Sequence, residues 1–403
     1  MNNEVLNMNP EVIEPVVNNK RVKKAIGLEG LVAFVLFVGF FWYLGSIMEL
    51  PNMLQTMMNT AFDLLLNTVF YIMAISVLAG AVAAILTEFG IVALINKILA
   101  ILMKPLYNLP GAAALGMVTT YLSDNPAILT LASDKGFKKY FKKFQLPALT
   151  NMGTAFGMGL IVTVTMSLKV SPSGESMATA ALIGNIGAVI GSIVSVRIMM
   201  IFTKKLFGTE EMAVESDEND LDVMKYREVR EGSVSSRLLE AMLDGGKSGV
   251  ELGMGIIPGV LIICTLVMML TNGAPAGGYT GAAYEGVGLL PAIGGKLNFI
   301  FEPLFGFTSG EALAFPITAL GAVGAALGLV DPLLQSGAIT GNEIAVFTSM
   351  GMCWSGYLST HVAMMDGLGC RELTGKAILS HTIGGLCAGI SAHWIYVLFT
   401  SVL

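Results

Sequence analysis

The sequence predicts an all-α, polytopic membrane protein built from an inverted repeat with two re-entrant helical hairpins. Three observations predict it. Of the 403 residues, 54% are apolar and only 13% charged, with a mean hydropathy of +0.72, whereas soluble domains carry about a quarter charged residues. Seven apolar runs, at 30–48, 64–86, 148–168, 177–202, 250–270, 344–365 and 377–403, come close to the roughly 20 residues that a spanning helix needs. Finally, "PLYNLPGAAAL" at Pro105 to Leu115 returns 198 positions later as "PLFGFTSGEAL" at Pro303 to Leu313. At the same offset of 198, "TNMG" at Thr150 to Gly153 meets "TSMG" at Thr348 to Gly351, and Leu160 meets Leu358. A constant offset across separated stretches marks a duplication.

Residues 1–28 read as a polar, cytoplasmic tail whose Lys20, Arg21, Lys23 and Lys24 abut the first apolar run. That run is too long for a signal peptide and has no clear small-residue cleavage site. Residues 29–60 are the first crossing and its loop. The first copy, 61–206, then runs inward through 64–86 and meets Lys97, Lys104, Lys135, Lys138, Lys139, Lys142 and Lys143, all expected in the cytoplasm. Two of its segments, 91–103 and 111–132, are too short or too interrupted to cross, the second being broken by "SDNP".

Residues 207–236 form an acidic cytoplasmic linker. It carries most of the net charge of −6, so that charge reads as a solvated surface and implies no nucleic-acid partner. The second copy with its final helix fills 237–403. Upstream of the echo, Ala61 pairs with Gly245 at a shorter offset of 184, and the insertion "TNGAPAGGYTGAAY" at 271–284 absorbs the difference. The loop 331–343 has no Lys or Arg where the first copy is lysine-rich, so the copies face opposite ways. The extra run 177–202 supplies the odd crossing, and Arg371 and Lys376 return the chain to the cytoplasm. Segments 287–301 and 310–330, the latter broken by Pro316 and glycines, match the interrupted pair of the first copy. Interrupted helices at corresponding places of an inverted repeat expose backbone donors and acceptors at membrane depth, which is where transporters bind solute.

Ionisable and polar groups at that depth are the candidate site residues. Asp124 and Asn125 sit at the expected turn of the first hairpin, where Pro126 breaks helical geometry. Ser309 and Glu311 open the second hairpin, where a carboxylate gains from the helix dipole. Thr150, Asn151 and Thr154 are matched by Thr348 and Ser349 in the other copy. Glu251 lies four residues after Lys247, a spacing that also suits a simple ion pair. His361 is placed to relay protons, since histidine titrates near neutrality. Each group has a structural alternative: a helix cap, dipole compensation or an interhelical hydrogen bond.

Residues 62–164, with "KPLYNLPGAAALGMVTTYLSDNPAILTLAS" and the later "VRIMM", resemble the A-type half of membrane proteins carrying the nucleoside-recognition (Gate) domain. Residues 243–365, with "GGKSGVELGMGIIPGVLI" and "EPLFGFTSGEALAFPITALGAVGAALGL", resemble the B-type half. The chain thus looks like a fusion of spore-maturation membrane proteins A and B. The resemblance implies solute movement across a bacterial cytoplasmic membrane. The polar Gly-Gln-Thr-Glu signature of related nucleoside carriers is replaced at its nearest match by "TSGEA", Thr308 to Ala312.

The expected function is secondary active transport of a small polar or charged solute (nucleoside-like, amino acid or organic ion) by alternating access. Coupling would be to a Na⁺ or H⁺ gradient, and no other cofactor and no metal are expected. No nucleotide-binding loop, nucleophile elbow or HExxH pattern occurs, which argues against an enzyme. The four cysteines form no CxxC pair. Glycine-rich faces at 184–191 and 384–389 permit close helix contact, within one chain or in a homo-oligomer. The alternative is a non-transporting scaffold or channel-like component, in which the polar residues would lie scattered rather than around one wet cavity.

Overall fold

The computed structural model describes residues 16–17, 20–21, 25–124, 127–214 and 222–402. Val16–Val17 (β1) pairs antiparallel with Lys20–Arg21 (β2) ahead of the helices. Helix α1 (Leu28–Met48) is apolar all round and exposed along most of its length, as lipid contact requires. Helix α2 (Leu50–Asp63) starts with Pro51 in its first turn, where the missing N–H leaves nothing unsatisfied. It passes through a π-helical stretch, Leu64–Val69, into α3 (Phe70–Glu88). Together they make one rod of 39 residues, about 58 Å at 1.5 Å per residue.

Helix α4 (Ile91–Leu102) precedes a hairpin of α5 (Ala113–Leu122) and α6 (Ala127–Ser133), and α7 (Lys135–Lys138) follows. Next come α8 (Ala148–Phe156), α9 (Gly159–Ser167) and the uninterrupted α10 (Ala178–Phe207). The second half opens with α11 (Val234–Gly259), a π-helical stretch Val260–Cys264 and α12 (Thr265–Thr271), together a rod of 38 residues. Helix α13 (Leu289–Phe305) leads to the second hairpin, α14 (Ala314–Ala319), α15 (Val323–Leu327) and α16 (Val330–Gln335). Helices α17 (Gly341–Cys353), α18 (Tyr357–Gly367) and α19 (Thr374–Val402) complete the chain.

The duplication holds in the backbone itself. Left-handed residues recur at the offset of 198: Gly90 and Gly288 start α4 and α13, and Asn108 and Gly306 follow the equivalent helices. Met158 (φ 55°) and Gly356 (φ 63°) interrupt α8–α9 and α17–α18 at the same place. The offset of 184 carries 50–88 onto 234–272, so the two long rods are copies of each other. The surplus, 198 − 184 = 14, is the length of the insertion at 271–284. It enlarges the α12–α13 connection, where α3 and α4 are joined by Phe89 and Gly90 alone.

The copies are inverted. The first segment of each broken helix packs on the second segment of the other, α8 on α18 and α17 on α9, as antiparallel crossing demands. The lone helix α10 supplies the odd crossing between them and packs on α8, α17 and α19. Small residues make these approaches close. A Cβ added to Gly245 would lie 2.2 Å from the Gly80 carbonyl oxygen in the α3–α11 seam, and one on Gly191 would lie 2.4 Å from that of Gly384 in the α10–α19 seam.

Two expectations are corrected. The runs 148–168 and 344–365 are not plain crossings, because each breaks after its TxMG motif. Among the described residues, six helices, counting α8–α9 as one, are long and apolar enough to cross a membrane, and the stretch 344–365 is not among them. Nor does Pro316 break the second hairpin. It sits in the first turn of α14, where proline is tolerated, and the chain turns at Leu320 to Ala322 instead.

The linker is exposed along most of its described length and is tied to the helices at a few points. Glu88 at the end of α3 is buried and accepts from Arg237 Nε at 2.6 Å and Arg230 Nη1 at 2.9 Å. The Tyr140 hydroxyl donates to Asp222 and holds that carboxyl below its usual range, while burial pushes Tyr140 up to about 12. Helix α11 starts inside the expected linker, with the Ser233 hydroxyl accepting from Ser236 N at 3.2 Å. Glu88→Gln is expected to release the segment 222–232, read as a faster rate of limited proteolysis there than in the unmodified chain. An unchanged cleavage rate would show that Glu88 does not hold the linker.

Candidate functional site

The first hairpin owes its position to residues small enough to let it in. Gly116 in α5 lets Ile128 of α6 approach, and Gly153 of the TNMG motif lets the same Ile128 rest on α8, where an added Cβ would meet it at 2.6 Å. At the equivalent place Gly351 of TSMG meets Phe315 and Val323 of the second hairpin, both 3.1 Å from an added Cβ. The repeated motif is therefore where each hairpin docks on its broken helix. Tyr121 pins the first hairpin from the other side, its hydroxyl donating to Asn185 Oδ1 at 3.1 Å in α10 and lying 3.1 Å from Thr163 Oγ1 in α9.

At the tip of this hairpin Ser123 and Asp124 face a cavity of about 490 Å³. Its walls come from α3 and α11, with Ser76, Thr87, Ser248 and, at the linker end, Arg230. The volume lies within the range of about 300–1,000 Å³ typical of small-molecule sites. Asn125 falls outside the described residues.

The second hairpin is different. Its tip, Leu320 to Ala322, carries no ionisable side chain, and Phe315 stacks on Phe347 with centroids 4.4 Å apart. Ser309 and Glu311 lie at its entry rather than its tip, and Ser309 Oγ donates to the Ala338 carbonyl at 2.7 Å. Glu251 is exposed on α11, and among the described residues no ion pair joins it to Lys247.

The paired polar residues are all fully buried. Thr154 and Thr348 bond back to the carbonyls of Thr150 and Ile344, at 3.0 and 2.7 Å, and Ser349 to that of Val346 at 2.8 Å. Asn151 Nδ2 donates to Ser195 Oγ in α10 at 2.9 Å and to the Ala377 carbonyl in α19 at 3.2 Å. These residues therefore serve helix contacts around α10. Of the residues singled out from sequence, the structure brings Asp124 to the cavity, groups Asn151 and His361 in one buried network through Ser195 and His381, and leaves Ser309, Glu311 and Glu251 apart from both.

Sequence reasoning missed three features. Gln145 and Glu343, again 198 apart, brace the two copies alike: Gln145 accepts from Lys142 N at 2.9 Å, and Glu343 from Thr340 N at 2.9 Å. The constant offset was signal enough to find them. Lys169, nearly buried at the end of α9, pairs with Asp331 in α16 at 2.5 Å. Asp331 also borders a second cavity of about 460 Å³, with Asp63, Asn67 and Asn272. His381 is the third, discussed below. Among the described residues, no group of three His, Cys, Asp or Glu could hold a metal ion.

Solved structures share this architecture. Two variants of the concentrative nucleoside transporter CNTnw in an outward-facing state match with TM-scores of 0.54 and 0.52, both at 14% identity, over 92% of this chain and 84% and 85% of theirs. CNTnw in an inward-facing substrate-bound state matches with a TM-score of 0.50 at 14% identity, over 91% of this chain and 83% of that one. No family model matches the chain, and no curated protein does. The likeness establishes the fold, a helical membrane architecture that this chain shares with CNTnw.

Proposed function

We propose that the chain is a secondary transporter of a small polar or charged solute, working by alternating access and not as an enzyme. The observation that carries this reading is the cavity that reaches the tip of the first hairpin and places Asp124 there. A hairpin tip moves with its arms, so a solute held at Asp124 can be exposed to one face and then to the other as the block of broken helices shifts against the long rods. CNTnw, which has this fold, is known in outward- and inward-facing states, and the resemblance to the nucleoside-recognition family supports the same class. In this reading the basic end of the molecule, with the linker and the tail, faces the cytoplasm of a bacterial cell, and a Na⁺ or H⁺ gradient drives accumulation.

Thermal unfolding of the purified full chain against a panel of nucleosides, amino acids and organic ions tests the proposal. A true solute at 100 times its Kd stabilises by about 2.7 kcal/mol, which is readily visible as a raised midpoint. A panel that moves nothing, together with liposomes that accumulate none of its members, would favour the scaffold reading, to which the helix-contact roles of Thr150, Asn151, Thr348 and Ser349 also conform.

A further inference from the structure

We propose that His361 binds the driving proton, with His381 as its fixed partner; this deepens the transporter reading and rests on it. The chain has only three histidines. His361 in α18 and His381 in α19 are fully buried, with ring centroids 4.8 Å apart, beside the break between α17 and α18.

Their hydrogen bonds fix which nitrogen carries the hydrogen. His381 Nε2 faces the carbonyl of Cys353, the last residue of α17. A carbonyl only accepts, so Nε2 donates and Nδ1 is left to accept from Ser195 Oγ at 2.8 Å. Ser195 in turn accepts from Asn151 Nδ2 at 2.9 Å. Both nitrogens of His381 are thereby used, and its ring ties the broken helix to α19 and α10.

His361 is different. Its Nδ1 lies 2.7 Å from the Tyr357 carbonyl and must donate to it. That leaves Nε2 as a bare lone pair, buried and without a hydrogen-bond partner. Asn151 Oδ1 in the same network is a second buried acceptor with no donor. Thr150 Oγ1 and Trp354 Nε1 are also buried without a hydrogen-bond partner, but of these groups the imidazole nitrogen is the basic one. A hard cation such as Na⁺ seeks several oxygens rather than a ring nitrogen.

The side chains that touch the pair are uncharged. The groups against the pair are Tyr357, whose hydroxyl bonds Thr382 and whose ring stacks on His381 at 6.0 Å, the Cys353 carbonyl, and Ser195, which Asn151 of α8 bonds in turn. Asp366, the carboxylate of α18, is exposed and lies 3.8 Å from Arg371. Two cations at 4.8 Å would repel strongly in such an interior, so the pair holds one proton at a time. A proton on His361 puts charge next to the bond between His381 and Cys353, and so biases the arrangement of the break that distinguishes one access state from the other.

The test needs no knowledge of the solute. Ser123, exposed at the hairpin tip, is replaced by Cys in a background with Cys370→Ser and Cys387→Ser, and the full chain is placed in nanodiscs. Its rate of reaction with a charged methanethiosulfonate is corrected for thiolate fraction with a model thiol and followed between about pH 5 and about pH 8. The corrected rate is expected to change by up to about tenfold per pH unit over part of this range, as one coupled proton dictates. His361→Gln should flatten it, whereas His393→Gln, whose histidine bonds Asn342 elsewhere, should not. Absence of labelling at every pH would overturn the cavity and with it the transporter reading. Labelling that ignores pH, or whose pH dependence survives His361→Gln, would overturn the proton assignment alone. ¹⁵N spectra of the unmodified histidines give a readout that no folding defect can spoil: a His361 ring that stays neutral across the range would also reject the inference.

Discussion

Asp124→Asn is expected to lower uptake of the solute into proteoliposomes by roughly 100-fold, the equivalent of about 3 kcal/mol for one lost charge-assisted contact. Asn preserves shape and hydrogen-bonding reach, so the variant should fold, and its unfolding midpoint without solute should match that of the unmodified chain. What it removes is the carboxylate that the first hairpin carries into the cavity. A formal charge at membrane depth is retained only where it is wet, paired or used, and Asp124 borders a space large enough for a metabolite. By sequence alone Glu311 is an equal candidate, but it sits at the entry of its hairpin and away from that space. Glu311→Gln should therefore leave uptake within about 2-fold, a change of under 0.5 kcal/mol. Equal losses at both positions, or none at Asp124, would sink the assignment of the tip.

The largest structural effect is expected at the seam between the two long rods. Gly245→Val would place a Cβ 2.2 Å from the Gly80 carbonyl oxygen and 2.7 Å from the Ala84 side chain. The first of these is backbone within a helix and cannot turn aside as a flexible side chain could. The rods must separate, with loss of about 3 kcal/mol and of the cavity that both rods line. Gly255, two to three turns along the same helix, has nothing within 4 Å of an added Cβ. Gly255→Ala should be neutral or stabilising by up to about 1 kcal/mol, because it removes backbone freedom from the unfolded chain. Thermal unfolding of the two variants side by side checks the pair, and similar midpoints would mean that the seam is not close-packed.

Much of this architecture was legible in the residues. The offset of 198 located both hairpins and both docking glycines, and the lysine-rich and lysine-free loops gave the inversion. The fourteen-residue insertion reconciled the two offsets. The breaks at Met158 and Gly356 were not legible, because both lie inside apolar runs long enough to span, and a left-handed Met leaves no trace in hydropathy. The turn of the second hairpin was half legible: a glycine break does fall at Gly321, whereas Pro316, which reads as a breaker wherever it stands, opens a helix. His381 was undervalued for a related reason. A single histidine on an apolar helix looks structural until the fold sets it against His361, twenty positions away in sequence.

The enlarged α12–α13 connection carries a last implication. A perfectly duplicated carrier could interchange its two halves, so that facing in and facing out would be mirror roles of equal energy. Here one half alone carries a folded insertion: Glu285 accepts from the backbone and hydroxyl of Thr280 and from Gly281, and Tyr284 reaches Asp63 at 2.5 Å on the opposing rod. That degeneracy is lifted by covalent design. In the proposed transport cycle, the inward- and outward-facing orientations would therefore differ in energy before any solute arrives.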